Sequence, residues 1–312
     1  MVRVELLAPA KDLDGGRAAI NSGADAVYIG APRFGARAKA GNSLDDIALL
    51  VEHAHTYWAR VYVTVNTLLY DDELPQAVQL LHQLYDMGVD AAIVQDVGLL
   101  ECDLPPIALI ASTQMHNHTP ERVAFLEQIG VRRVILAREL SLEQIAAIRA
   151  RTSIELESFV HGALCVSYSG QCYMSYAIGG RSGNRGECAQ PCRRRYTLVD
   201  RDGKPIVADR YLLSLRDLNL SGYLDELLGA GVTSFKIEGR LKDRSTQTVQ
   251  LRTRPGRLSA LPARRPRPSP FRPAPARSLG ALSRCFPAAL PATPSALPGS
   301  GRSRAGALAG RP

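Results

Sequence analysis

Four of the chain's six cysteines, Cys165, Cys172, Cys188 and Cys192, lie in one stretch, HGALCVSYSGQCYMSYAIGGRSGNRGECAQPCRRRY. Cys102 stands apart from them, and Cys285 lies far downstream. Such clustering points to one shared ligand rather than to scattered core thiols. The gaps between the four, of six, fifteen and three residues, are loose for structural zinc, which usually pairs its ligands as short Cys-x2–4-Cys knuckles. They suit a thiolate-bound iron–sulfur cluster, for which four thiolates favour the [4Fe–4S] form and whose ligands can come from irregular loops. The chemistry implied is redox or radical chemistry, or a cluster that shapes a site. Zinc as a structural staple is the alternative.

The elements that must position these thiols are legible around them. A short phrase recurs, a helix end, a glycine and then an apolar run: GADAVYIG (23–30), GVDAAIVQD (88–96), GVRRVILAR (130–138) and GVTSFKIEG (231–239). Each glycine fits the position just past a helix, where a positive φ is wanted. Each run is short and not alternating, as in a parallel strand buried on both faces. VELLAPA (4–10), VYVTVN (61–66), IALIASTQ (107–114) and IELESFVHG (154–162) supply four more strands. Helical patterns separate most of them. One starts at Ser43, and a second spans Glu73 to Met87. A third starts at Thr119-Pro120, with proline at the first helical position, and a fourth at Ser141-Leu-Glu-Gln144, a capping box. Eight strands alternating with helices predict an α/β fold, a TIM-like (β/α)8 barrel over residues 1–243. A doubly wound sheet is the runner-up. The cysteine segment is a long insertion between strands 7 and 8, about residues 163–213, at the end of the barrel where such enzymes keep their chemistry.

Polar residues that end apolar strands should face that mouth. His161, Glu238 and Arg240 are the catalytic candidates, and Asn66, Gln114, Arg138, Lys236 and Arg185 the substrate-binding ones. Gln95, Asp96, Ser112 and Glu139 end strands in the same way. His161 ends strand 7 close before Cys165; it fits a general acid or base, a partner to the cluster, or a buried histidine satisfied by a carbonyl. Lys236 and Glu238 alternate on one strand and should share a face, as an ion pair or as substrate ligands. The cysteine segment also carries Arg181, Arg185, Arg193, Arg194 and Arg195 with Tyr173, Tyr176 and Tyr196. Basic residues interleaved with aromatics can follow a phosphate backbone and stack bases. They can equally offset an all-thiolate cluster or form a solvated basic loop.

The formal net charge of +8 misleads as a sign of nucleic-acid binding. All acidic residues lie at or before Asp243, so residues 1–243 are net acidic; residues 244–312 hold arginine, no lysine and no acid. That second stretch is dense in proline and arginine, cannot build a core, and is expected to be a disordered tail. It reads either as a basic arm or as an out-of-frame extension from a GC-rich gene, and the abrupt break favours the latter. No targeting signal leads the chain and no run reaches the length of a membrane span. With clustered free thiols this predicts a reducing cytoplasm and no membrane.

At VELLAPAKD, GADAVYIGAPRFGARAKAGN, LARELSLEQI, FVHGALCVSYSGQCYMS, NRGECAQPCR and FKIEGRLKD the chain resembles peptidase family U32, the collagenase-like proteins, across about residues 4–243. The resemblance implies a barrel-like fold and maps the family's four cluster cysteines onto Cys165, Cys172, Cys188 and Cys192. It also implies hydroxylation rather than proteolysis. Some members help make hydroxyuridine in tRNA, another branch makes hydroxycytidine in large-subunit ribosomal RNA, and another hydroxylates ubiquinone. FGARAKAGNSLDDI and LPPIALIASTQ look closest to the ribosomal RNA branch. Prephenate is the hydroxylation input that the resemblance implies, and RNA the partner, with an electron donor of unknown identity. A peptidase is the competing function, although the sequence shows no HExxH, no G-x-S-x-G elbow and no triad. A non-functional truncated product, with the tail marking a broken gene, is a third.

Overall fold

The structure is a computed structural model and describes residues 4–36 and 41–239. The expected tail at 244–312 and Arg240 lie outside the described residues. The chain divides into units of residues 1–273 and 274–312, and all that follows concerns the first.

Strands β1 (Glu5–Pro9), β2 (Ala26–Gly30), β3 (Arg60–Val65), β4 (Ala91–Val94), β5 (Ala108–Ala111), β6 (Arg133–Ile135) and β7 (Glu155–Gly162) pair in parallel with their sequence neighbours. Two short strands, β8 (Tyr196–Val199) and β9 (Pro205–Arg210), form a separate antiparallel hairpin, and β10 (Leu218–Asn219) runs antiparallel along β7. Strand β11 (Val232–Ile237) then pairs in parallel with both β7 and β1 and closes the ring. The result is the eight-stranded parallel barrel expected, with all eight anticipated strands in place.

Helices α1 (Leu13–Asn21), α2 (Leu44–Thr56), α3 (Leu74–Asp86), α4 (Pro120–Gln128) and α5 (Leu142–Arg151) lie between the barrel strands. Helix α6 (Met174–Gly179) belongs to the cysteine segment, and α7 (Leu224–Gly229) precedes β11. The capping residues act as their types require. Ser43, Thr119 and Ser141 accept backbone N–H bonds from Asp46, Arg122 and Gln144, and Gln144 completes its box. Helix α2 buries Ile47, Leu50, Val51 and Ala54, a stripe at helical spacing. Each such side chain contributes about 1.5–3 kcal/mol on full burial if large, less for alanine. Between β4 and β5 a single 3-10 turn, Val97–Glu101, replaces the helix.

Strand alternation splits the core in two. One face of each strand packs on the helices. The other fills the barrel with Leu7, Tyr28, Tyr62, Ile93, Ile110, Ile135 and Phe159, as a barrel interior requires. Below these, at the strand N-terminal ends, sits a charged layer. Arg133 reaches Glu5 at 2.5 Å, Glu157 at 3.0 Å and Glu155 at 2.8 Å, and Arg60 reaches Glu5 at 3.1 Å. Tyr62 donates to Glu5 at 2.7 Å, and Ser234 donates to Glu5 and Glu157. Burial alone would raise the Glu5 pKa; Arg133, Arg60 and Tyr62 outweigh it and hold it at about 2.

Candidate functional site

The strand C-terminal ends form the opposite rim, and the cysteine segment lies against it at two places. Near its start, Ser169 donates from its hydroxyl and its N–H to Glu139, both at 2.9 Å. Beside it Gly170 has φ +72°, and a Cβ there would overlap the carbonyl of Gln114, so only glycine permits this approach. Further along, Arg185 donates both guanidinium ends to Glu73 at 2.5 and 2.7 Å, lies 4.1 Å over the Tyr70 ring and bonds the Leu68 carbonyl. Glu73 stands at the N-terminus of α3. The Arg185 hydrogen bonds, against a smaller effect of burial, pull its carboxyl down to about 2. A cavity of about 220 Å³ adjoins this latch, bounded by Arg33, Phe34, Thr67, Glu73 and Arg185. At the far end Arg193 joins the two flanks of the segment, bonding the carbonyls of Leu164 and Leu215 and the Ser214 hydroxyl. The segment thus reaches from β7 to the ends of β5 and β6 and to the loop after β3.

Replacing Gly170 with valine is expected to lift the segment at that first place and cost about 1–3 kcal/mol, from backbone strain and overlap together. Hydrogen exchange in residues 163–195 should rise while that of the strands holds; unchanged exchange in the segment would contradict the docking.

The four cysteines stand half-buried to exposed within the segment. Among the described residues, no three His, Cys, Asp or Glu side chains come close enough to hold a single metal ion. The four are nevertheless neighbours. Burial raises the Cys192 pKa, Arg193 opposes it, and Cys165, Cys188 and Cys172 all add to the rise through their charge. Cys188 Sγ accepts from Gln190 N–H at 3.4 Å and from the Ser175 hydroxyl at 3.8 Å, and Ser175 Oγ accepts from Ala189 N–H. Four neighbouring thiols, with N–H and O–H donors on the Cys188 sulfur, are a donor set that fits a thiolate-bound group.

The rim residues follow in order. Asn66 donates to Ser112 at 3.0 Å and accepts from Ala36 N–H. Gln95 donates to the Gln114 carbonyl at 3.4 Å. Asp96 caps the 3-10 turn and accepts from Leu69 N–H. Arg138 lies 4.1 Å over the Phe159 ring, bonds the Ala163 carbonyl at 2.7 Å and approaches Glu238 at 3.4 Å. Glu238 N–H in turn donates to the His161 carbonyl at 2.8 Å, so Arg138, His161 and Glu238 belong to one corner of the rim. Lys236 lies lower, in the barrel interior, 2% exposed, paired with Glu157 at 2.8 Å and 4.2 Å over the Tyr28 ring. Of the segment's arginines, Arg185 is held by Glu73, Arg193 bonds within and beside the segment and Arg195 pairs with Asp209, while Arg181 and Arg194 are exposed, as are Tyr173 and Tyr176.

Sequence reasoning did not single out Glu73, Gly170 or the stacked pair His116 and His118. Those two rings are 3.8 Å apart with Tyr168 5.6 Å from His116. Burial and His118 lower the His116 pKa, against an opposing pull from Glu139. The run MHNHT directly after a strand was the available signal.

The model of peptidase family U32 matches residues 11–253. A 23S rRNA 5-hydroxycytidine synthase of Escherichia coli strain K12 is 56% identical over 243 residues, covering 78% of this chain and 37% of that protein. The tRNA hydroxylation protein P1 of Bacillus subtilis strain 168 is 38% identical over 248 residues, covering 76% and 59%. The chain therefore spans between about a third and three fifths of the length of these relatives. Among solved structures, a U32 peptidase aligns with a TM-score of 0.50 at 16% identity, covering 77% of this chain and 94% of that one, a likeness of fold.

Proposed function

Because the chain belongs to peptidase family U32, we propose that it takes part in pyrimidine C5-hydroxylation of RNA, with hydroxycytidine in ribosomal RNA as the product and hydroxyuridine in tRNA as the alternative. The observation that carries this is the 56% identity to the 5-hydroxycytidine synthase. A match of 243 residues within 312 must include residues 70–243, and so the whole cysteine segment and the ends of β4 to β7 and β11. Exposed Tyr168, Tyr173 and Tyr176 with Arg181 and Arg194 supply stacking faces and cations for a single-stranded RNA.

Cys165, Cys172, Cys188 and Cys192 would hold an iron–sulfur cluster, [4Fe–4S] by ligand count, with prephenate as the hydroxylation input and a separate electron donor. When bound, the cluster supplies electron transfer or a Lewis-acidic iron. The chain's own residues do the positioning. Arg185 with Glu73, and Ser169 with Glu139, hold the segment against the mouth. Arg138 offers a cation next to Glu238 and His161, where a proton can be taken or given. The proposed setting is the cytoplasm; among the described residues no helix is long and apolar enough to cross a membrane.

The test is nucleoside analysis of ribosomal RNA and tRNA from cells with the gene deleted, alongside iron and sulfide analysis of anaerobically purified protein. Hydroxycytidine should vanish from the ribosomal RNA, and iron and sulfide should accompany the protein. Hydroxypyrimidines that persist at full level in both RNAs would sink the reading.

A further inference from the structure

The cavity beside the Arg185–Glu73 latch offers room for a ligand. Its volume is about 220 Å³, below the roughly 300–1,000 Å³ of sites for drug-sized molecules. That suits a metabolite with one small ring rather than a strand of RNA. Pro32 and Arg33 on its wall are exposed, so it is reached from solvent. Its lining comes from the loops that follow β2 and β3, on the rim where barrel enzymes bind their ligands.

The wall carries an excess of positive charge. Its charged side chains are Arg33, Glu73 and Arg185. Arg185 engages both oxygens of Glu73. Arg33 donates to the amide oxygen of Gln76, which is neutral. Two guanidiniums against one carboxylate leave one positive charge uncompensated, and residues 37–40, Arg-Ala-Lys-Ala, bring no acid to the same loop. An anion is the complement, and a guanidinium fork matches a carboxylate.

Phe34 defines the rest of the ligand. Its ring is half-buried, with the Arg33 guanidinium 4.8 Å from its centre. Its φ of +61° is strained for a residue other than glycine. The turn holds because Thr67 donates to the Phe34 carbonyl from its N–H at 3.1 Å and its hydroxyl at 3.2 Å, while Ala36 N–H donates to Asn66. Strain pinned in this way collects at ligand sites. A cation beside an aromatic ring suits an acid with a flat apolar body; inorganic phosphate would use the charge alone. We propose that this cavity binds a small organic acid with one carboxylate and a ring-sized apolar body, and that Arg33 is its carboxylate ligand. The site stands independently of the RNA reading. Because Arg185 brings one wall from the cysteine segment, the bound acid and the docked segment stabilise each other.

The experiment titrates the full chain, purified anaerobically, with benzoate, benzamide, acetate and inorganic phosphate at neutral pH, followed by NMR of each ligand. Benzoate should bind about tenfold more tightly than any of the other three. Arg33→Gln should reduce benzoate to the level of benzamide. Phe34→Asn, which tolerates the same backbone, should reduce it to the level of acetate. Hydrogen exchange in residues 163–195 should slow with benzoate and not with benzamide. Equal binding of benzoate and benzamide by the unaltered chain, or no binding of benzoate, overturns the proposal, and these arms depend on no variant. Phosphate that binds as tightly as benzoate overturns it too, in favour of a phosphate site. Benzoate binding that Arg33→Gln leaves unchanged lies elsewhere on the protein and overturns it as well.

Discussion

Arg133→Met is expected to cost the barrel about 3–5 kcal/mol of unfolding free energy, measured by urea denaturation at neutral pH. The guanidinium is the hub of the charged layer, with Glu5, Glu155 and Glu157 all on it and the Tyr62 ring 5.3 Å from its centre. Glu5 and Glu157 are almost wholly buried. Removing the cation strands their negative charge in a low-dielectric interior, and that loss exceeds the value of any one contact. Arg133→Lys should recover only part of it, since a point charge cannot reach three carboxylates at once. The pH dependence has a definite sign. The Glu5 pKa lies below its unfolded value of 4.5, at about 2. Its stabilisation is therefore complete above about pH 4.5 and is lost as pH falls towards 2, roughly 3 kcal/mol over that interval. In Arg133→Met the acid slope should flatten, because the largest attraction on Glu5 is gone. A variant within about 1 kcal/mol of the parent, with the same slope, would show the layer to be a bystander.

That layer also shows where sequence reading stops. Four of the eight strands were legible because a glycine and a short apolar run recur there, and the other four from their apolar runs alone. Asn66, Gln114, Arg138 and Glu238 were legible as rim residues because each ends such a run. Glu5, Arg133 and Glu157 are polar residues near the starts of the same strands, and alternation does place Glu157, Ser234 and Lys236 on the interior face. What alternation cannot say is that Arg133 and Glu5, 128 residues apart, meet across the barrel. The same holds for Arg185 and Glu73, 112 residues apart: in sequence Arg185 looks like a free phosphate ligand, and only the closed barrel brings the carboxylate to it. The 3-10 turn after β4 has the opposite cause. VGLLE and its neighbours are too short for a full helix, and Asp96 caps what little forms. For the cysteines, spacing indicated a shared ligand but not how near the sulfurs stand, which depends on how Arg193 and Ser175 fold the loop.

Cys188→Ala is expected to abolish the visible iron–sulfur absorbance, to leave little iron on the anaerobically purified protein, and to remove hydroxycytidine from the ribosomal RNA of complemented cells. Cys188 is the thiol whose surroundings are best defined, with Gln190 N–H and the Ser175 hydroxyl both on its sulfur. Alanine removes the sulfur and leaves both donors without it. Ser175→Ala should act in the same direction but less far, about 10–100-fold in cluster affinity, as loss of a group that orients a ligand does. Cys102→Ala is the control: its thiol donates to the Gly98 carbonyl on the turn after β4, outside the cysteine segment, and its loss should leave iron and spectrum unchanged. If Cys188→Ala retains full iron, the quartet is not the ligand set. If it loses iron while hydroxycytidine persists, the cluster holds the segment in place without taking part in the reaction, and the docking contacts of Arg185 and Ser169 become the part of the design that turnover depends on.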